Sequence, residues 1–155
     1  MRKSLLAGLC SVMVLSGSIA LAADNWIGTW KLNVAKSKYT PGPGPKSQTL
    51  KFEASPVGIT LTAEGVNAEG AATKSSYTSK FDGKDVAWAG NPDADMAAPK
   101  RVDDNTYTNT WKRGGKAVMT AKVVVSKDGK TLTVNQTGKN AKGEAISTTG
   151  VYEKQ

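Results

Sequence analysis

From Trp26 to Tyr152 the chain repeats one pattern. Short runs in which apolar and polar side chains alternate are cut by clusters of Gly, Asp, Asn or Pro. Alternation with period 2 sends successive side chains to opposite faces of a β-strand, whereas a buried helix face needs a spacing near 3.6. A helical bundle is therefore excluded, and each strand must bury one face against another sheet surface. The first strand is the clearest: Trp26, Gly28, Trp30, Leu32 and Val34 share one side, and Thr29, Lys31 and Asn33 take the other.

The same reading predicts strands at about 47–54 with Leu50 and Phe52 inward, and at 57–63 with Val57, Ile59 and Leu61 inward. Others follow at 72–81 (Ser75, Tyr77, Ser79, Phe81), 86–88, 97–102 and 106–112 (Tyr107, Asn109, Trp111). The last three are expected at 116–126 (Ala117, Met119 and Ala121 on one face), at 131–137 (Leu132, Val134, Gln136) and up to Val151 or Tyr152. Asp82-Gly83, Gly114-Gly115 and Asp128-Gly129 have the composition of tight hairpin turns. Residues 39–45, where three prolines alternate with two glycines, read as an extended link. Sequential strands tend to pair, and closure removes exposed sheet edges. The expected fold is thus all-β: an antiparallel up-and-down meander of about ten strands closing into a barrel. A β-sandwich of the same length is the alternative.

The N-terminus has the grammar of a secretory signal. Arg2 and Lys3 precede an uncharged stretch over 4–23, apolar from 5 to 15 and loosened by Ser16-Gly17-Ser18. Ala20-Leu21-Ala22 places small residues where a signal peptidase reads, so cleavage is expected after Ala22. This gives a leader over 1–22, a single domain over 23–155, and a periplasmic or secreted location. A membrane anchor is the alternative for so long an uncharged run. Cys10 follows Leu9 rather than a small residue, which argues against a lipoprotein. Removal of the leader takes away Cys10, Arg2 and Lys3 and leaves a charge of +6. Asn135-Gln136-Thr137 is a formal glycosylation sequon, a chance match in a bacterial setting.

With one Cys and no His in 155 residues, a Cys/His zinc site, a Ser-His-Asp triad, a Cys-His pair and a disulfide framework are all excluded. The aspartates at 93, 95, 103 and 104 imitate part of an oxygen-donor calcium loop. They lack its glycine and late glutamate and read as turn chemistry. No carboxylate pair is fixed at a working separation. No metal, cofactor or catalytic residue is therefore expected, and the chain reads as a non-enzyme. The formal charge of +8 comes from lysines scattered over turns and polar faces, with no run of four. That distribution serves solubility and blocks edge pairing. It does not point to nucleic acid, though weak contact with an anionic envelope surface is compatible with it.

Gly28-Thr29-Trp30-Lys31-Leu32 resembles the opening of a fatty-acid-binding protein, and Val151-Tyr152-Glu153-Lys154 resembles its end. A Gly-x-Trp on the first strand of a secreted ten-strand meander is similar to the calycins, the lipocalins and fatty-acid-binding proteins. Residues 90–95 and 126–133 are similar to small exported bacterial lipocalin-like proteins of unassigned function. The resemblance implies a barrel holding a small hydrophobic or amphiphilic molecule. Two features depart from it: the segment 35–46 is too short and too rich in Pro and Gly for a two-helix lid, and the last strand has no Arg to set over Trp30.

The inward faces are apolar at first (Trp30, Leu50, Phe52, Leu61) and mixed later (Ser75, Asn109, Gln136, Thr148), which predicts one closed apolar end and one wetter mouth. Trp26 and Trp30 are expected to plug the barrel. Tyr77, Trp88, Tyr107 and Trp111 are the candidate ligand-binding wall, with Arg101 as the cation for an anionic head group. The expected function is binding of a small amphiphilic or hydrophobic molecule by a monomer. The alternative is an envelope protein-interaction or inhibitor module with a filled core.

Overall fold

The computed structural model describes residues 24–155. The expected leader, its cleavage point and Cys10 lie outside the described residues. The described chain forms β1 (Gly28–Leu32), β2 (Lys38–Thr40), β3 (Ser47–Ser55), β4 (Gly58–Val66), β5 (Ala72–Ser79) and β6 (Val86–Ala87), then β7 (Met96–Arg101), β8 (Thr106–Arg113), β9 (Lys116–Val125), β10 (Thr131–Lys139) and β11 (Ala145–Lys154). All pair antiparallel in one sheet. Ten of them follow the path β5-β4-β3-β1-β11-β10-β9-β8-β7-β6, and β2 lies off it against β11. This is the up-and-down meander, with β1 joining β3 to β11. One continuous sheet replaces the sandwich alternative.

The two ends of the path meet and close the barrel. Ser76 and Ala89 exchange both backbone hydrogen bonds, at 2.9 and 3.0 Å. Further down the seam, Gly83 N–H donates to Pro99 O and Arg101 N–H donates to Phe81 O, each at 2.8 Å. Gly90 abuts this seam: its φ is +75°, and a Cβ there would lie 2.2 Å from Lys74 O.

One end is filled by aromatic rings. Trp26, Trp30, Phe52 and Leu132 are fully buried. Trp26 stacks on Phe81 at 5.8 Å and meets Tyr107 edge-on at 5.3 Å, and its carbonyl accepts the Trp30 Nε1–H at 2.8 Å. Lys154 of β11 is in register with Trp30, and its Nζ stands 5.2 Å from the indole centroid. A last-strand cation thus covers the first-strand tryptophan after all, as a lysine rather than an arginine. Gly28 makes room for it: at φ +132°, a Cβ would sit 3.2 Å from Lys154 Cε.

Four local expectations are corrected. Val34 is 51% exposed because β1 ends at Leu32 and a 3-10 turn over Val34–Lys36 follows, its start capped by the Asn33 side chain accepting from Lys36 N. Val57 is 65% exposed because it belongs to the turn between β3 and β4, not to a strand. The link over 39–45 begins inside β2, which pairs Thr40 with Ser147 and Tyr39 with Thr148. A bulge after Trp111 shifts the β8–β9 register, so Met119 and Ala121 are buried while Ala117 is exposed.

Candidate functional site

The half of the barrel away from Trp26 is not filled. Alternation on five strands brings Gln48 and Leu50 (β3), Leu61 and Ala63 (β4), Tyr77 (β5), Tyr107, Asn109 and Trp111 (β8), and Ala121 and Val123 (β9) around one space, with Trp88 entering just after β6. The cavity measures about 250 Å³, near the small end of ligand sites. Ala63 and Ala121 supply the room, because larger side chains at those inward positions would occupy it. An adjoining lobe of about 240 Å³ shares Gln48, Trp111, Gln136 and Tyr152 and reaches Tyr39 under the proline-rich link. Asn67, Gly90, Asn91 and Asp93, from the loops at this end, form the rim.

Tyr77, Trp88, Tyr107 and Trp111 all line this cavity. Trp88 meets Trp111 at 4.6 Å and Tyr77 at 5.1 Å, both edge to face. Tyr107 packs on Phe81 at 4.9 Å, so the rings run without a break from Trp26 to Trp111. The indole N–H groups of Trp88 and Trp111 are buried with no hydrogen-bond partner. Asn109 is fixed by its Oδ1, which accepts Ala98 N–H at 3.1 Å, and its Nδ2 donates to Tyr77 OH at 3.5 Å. Tyr152 OH donates to Gln48 Oε1 at 2.5 Å. Burial pushes the hydroxyls of Tyr77, Tyr107 and Tyr152 well above the ordinary phenol range, so all three stay neutral.

Arg101 is not part of this site. Its pairing with Tyr107 gives it the inward parity expected of it, but it lies at the far end of β7, beyond the Trp26 plug. There its Nε sits 2.8 Å from Asp24 Oδ1 and its Nη2 pairs with Asp104 Oδ1, with the side chain 44% exposed. Asp24 is nonetheless held above the usual carboxylate range, because desolvation outweighs the pull of Arg101. Parity decides which face a side chain takes. Distance along the barrel axis decides which end it serves, and Arg101 serves the closed one.

The aspartates of the loops all accept backbone N–H groups, but only Asp103 does so within its own turn, as expected, whereas Asp93 and Asp95 tie their loop to other loops. Asp93 Oδ1 accepts Ala141 N–H at 2.9 Å, Asp95 Oδ2 accepts Gly114 N–H at 3.0 Å, and Asp103 Oδ1 accepts Asn105 N–H at 2.8 Å. Among the described residues, no three His, Cys, Asp or Glu side chains converge. Gln48 and Tyr152 are lining residues that the sequence reading did not single out. Gln48 lies two residues before inward Leu50, and Tyr152 follows only from its register opposite Leu32.

No protein-family model matches this chain, and no curated protein matches it. Among solved structures, the crystal structure of zebrafish ileal bile acid-binding protein complexed with cholic acid is similar to it at 10% sequence identity. That similarity has a TM-score of 0.49 and covers 84% of this chain and 99% of that one. The chain's own topology is a ten-strand up-and-down meander whose Gly-x-Trp first strand lies beside its last, the barrel layout expected from the sequence resemblance.

Proposed function

We propose that this protein is an exported, non-enzymatic carrier that binds one small hydrophobic or amphiphilic molecule as a monomer. The observation that carries the reading is the cavity bounded by Tyr77, Trp88, Tyr107 and Trp111, in a barrel whose opposite end is packed solid. A concave site whose wall combines apolar and aromatic side chains with a few placed polar groups is the usual form of a small-molecule site. The fixed amide of Asn109 and the neutral tyrosine hydroxyls offer hydrogen bonds without offering a nucleophile or a base. Export rests on the charge and hydropathy pattern of residues 1–22, with periplasm or extracellular space as the destination.

Native mass spectrometry of protein purified from the exported fraction tests both halves. The expected spectrum shows a chain beginning near Ala23 that carries a bound small molecule. Exported protein that still begins at Met1 removes the leader. A chain that arrives empty and gives no saturable change in tryptophan fluorescence with a broad panel of lipophiles removes the carrier, and leaves the loops as the functional surface.

A further inference from the structure

Charge at the cavity narrows the ligand class beyond the reading above, on which this step rests. We propose that the cavity selects an uncharged lipophile and rejects the corresponding carboxylate. Lys74 is the one cationic side chain among the lining residues, and it is committed elsewhere: its Nζ lies 2.6 Å from Glu64 Oε1, with the side chain 71% exposed. Arg113, near the rim, donates from Nη2 to Pro92 O at 2.6 Å and does not line the space. Arg101 is held by Asp24 and Asp104 at the other end. The fixed charge that does face both lobes is negative: Asp93 lines each of them, and one of its carboxylate oxygens already accepts from Ala141 N–H.

The wall itself carries three probes of the local field. Tyr77, Tyr107 and Tyr152 are buried phenols on different strands, and each resists becoming an anion. Desolvation is the largest cause in every case, and no lysine or arginine contributes an opposing pull. A ligand carboxylate placed among them meets the same penalty with the same lack of a counter-charge. The excess lysines of the outer surface do not relieve it: apart from Lys74, which is paired with Glu64, none lines either lobe, and exposed charges are weakened by salt at physiological ionic strength. A hydroxyl, ester or carbonyl oxygen is accommodated instead, by Asn109, Gln136 and the tyrosine hydroxyls.

The test compares decanol with decanoic acid at neutral pH, below their aggregation concentrations, read by quenching of Trp88 and Trp111 fluorescence. Decanol is expected to bind about tenfold or more tightly. Gln136→Arg, which places a cation between the two lobes, is expected to reverse that preference. Asp93→Asn is expected to narrow it about threefold. Decanoic acid binding the wild type as tightly as decanol overturns the inference and leaves the carrier reading standing. A folded Gln136→Arg protein with the wild-type ratio overturns its electrostatic basis. If neither ligand, nor any neutral lipophile of the wider panel, binds the wild type, the carrier reading itself falls and this inference with it.

Discussion

Trp30→Ala is the perturbation with the largest consequence. Trp30 is fully buried, donates its indole N–H to Trp26 O at 2.8 Å, and lies under Lys154 at 5.2 Å. Truncating a buried aromatic costs about 3–5 kcal/mol through lost transfer energy and the cavity left behind. The orphaned Trp26 carbonyl and the lost cation–π contact each add to that, the latter by ~0.5–1 kcal/mol. Collapse cannot recover much, because the surrounding positions belong to a closed sheet. Against a total stability of about 5–15 kcal/mol, the substitution removes a large share. Urea unfolding should show its midpoint lowered by ~2 M with an unchanged slope, taking a slope of about 2 kcal/mol/M. Trp30→Phe keeps most of the ring area and loses the hydrogen bond, so it should fall about 1–2 kcal/mol below wild type. It also guards the measurement if the alanine variant does not fold. A Trp30→Ala protein within about 1 kcal/mol of wild type would refute the plug and, with it, the inward face assigned to β1.

Alkali should unfold the barrel steeply. Tyr77, Tyr107 and Tyr152 have folded pKa values raised above the ordinary phenol value of 10.0. Their stabilisation is therefore complete below pH 10 and is lost as pH rises from there toward the folded values. Three such groups give a slope of up to about 4 kcal/mol per pH unit above pH ~10, which urea midpoints at stepped pH would measure and Tyr152→Phe should reduce by about a third. Arg101→Ala should cost no more than ~1 kcal/mol, since its ion pairs are partly solvated. It should also raise the Asp24 pKa further and leave the ligand Kd within about a factor of two of wild type. Weakened ligand binding would return Arg101 to the site. Gly90→Ala sets a Cβ against Lys74 O in a left-handed conformation. It should cost ~1–3 kcal/mol and speed hydrogen exchange at the Ser76 and Ala89 amides, whereas unchanged exchange would mean the seam does not depend on that close approach.

Much of this architecture was legible because alternation is a local signal. Trp30, Leu50, Phe52, Tyr77, Tyr107 and Trp111 each declare their face through their own neighbours. What stayed illegible depends on partners distant in sequence. Tyr39 and Thr40 look like link residues until β11 supplies their ladder. Ala117 looks inward until the bulge after Trp111 breaks the parity. Val57 continues the alternation of Ile59 and Leu61, but the tight connection after Ser55 takes it out of the strand. The cavity was half legible in the same way. The aromatic wall follows from parity, whereas the displacement of Arg101 follows from where along the axis β7 ends.

The position of β1 between β3 and β11 also governs the order in which this chain can fold. Contacts such as Asn33 with Glu153 join residues 120 apart in sequence, so the hairpins of the meander can form early while the cylinder waits for the C-terminal strand. Until β11 arrives, β1 and β10 both present open edges, and the Trp30 indole lacks its Lys154 cover. Non-local closure of this kind places the final step in the slow range, about milliseconds to seconds. Under the proposed export that delay is useful: the closed barrel cannot form, and so cannot jam the passage, until the last strand has come through.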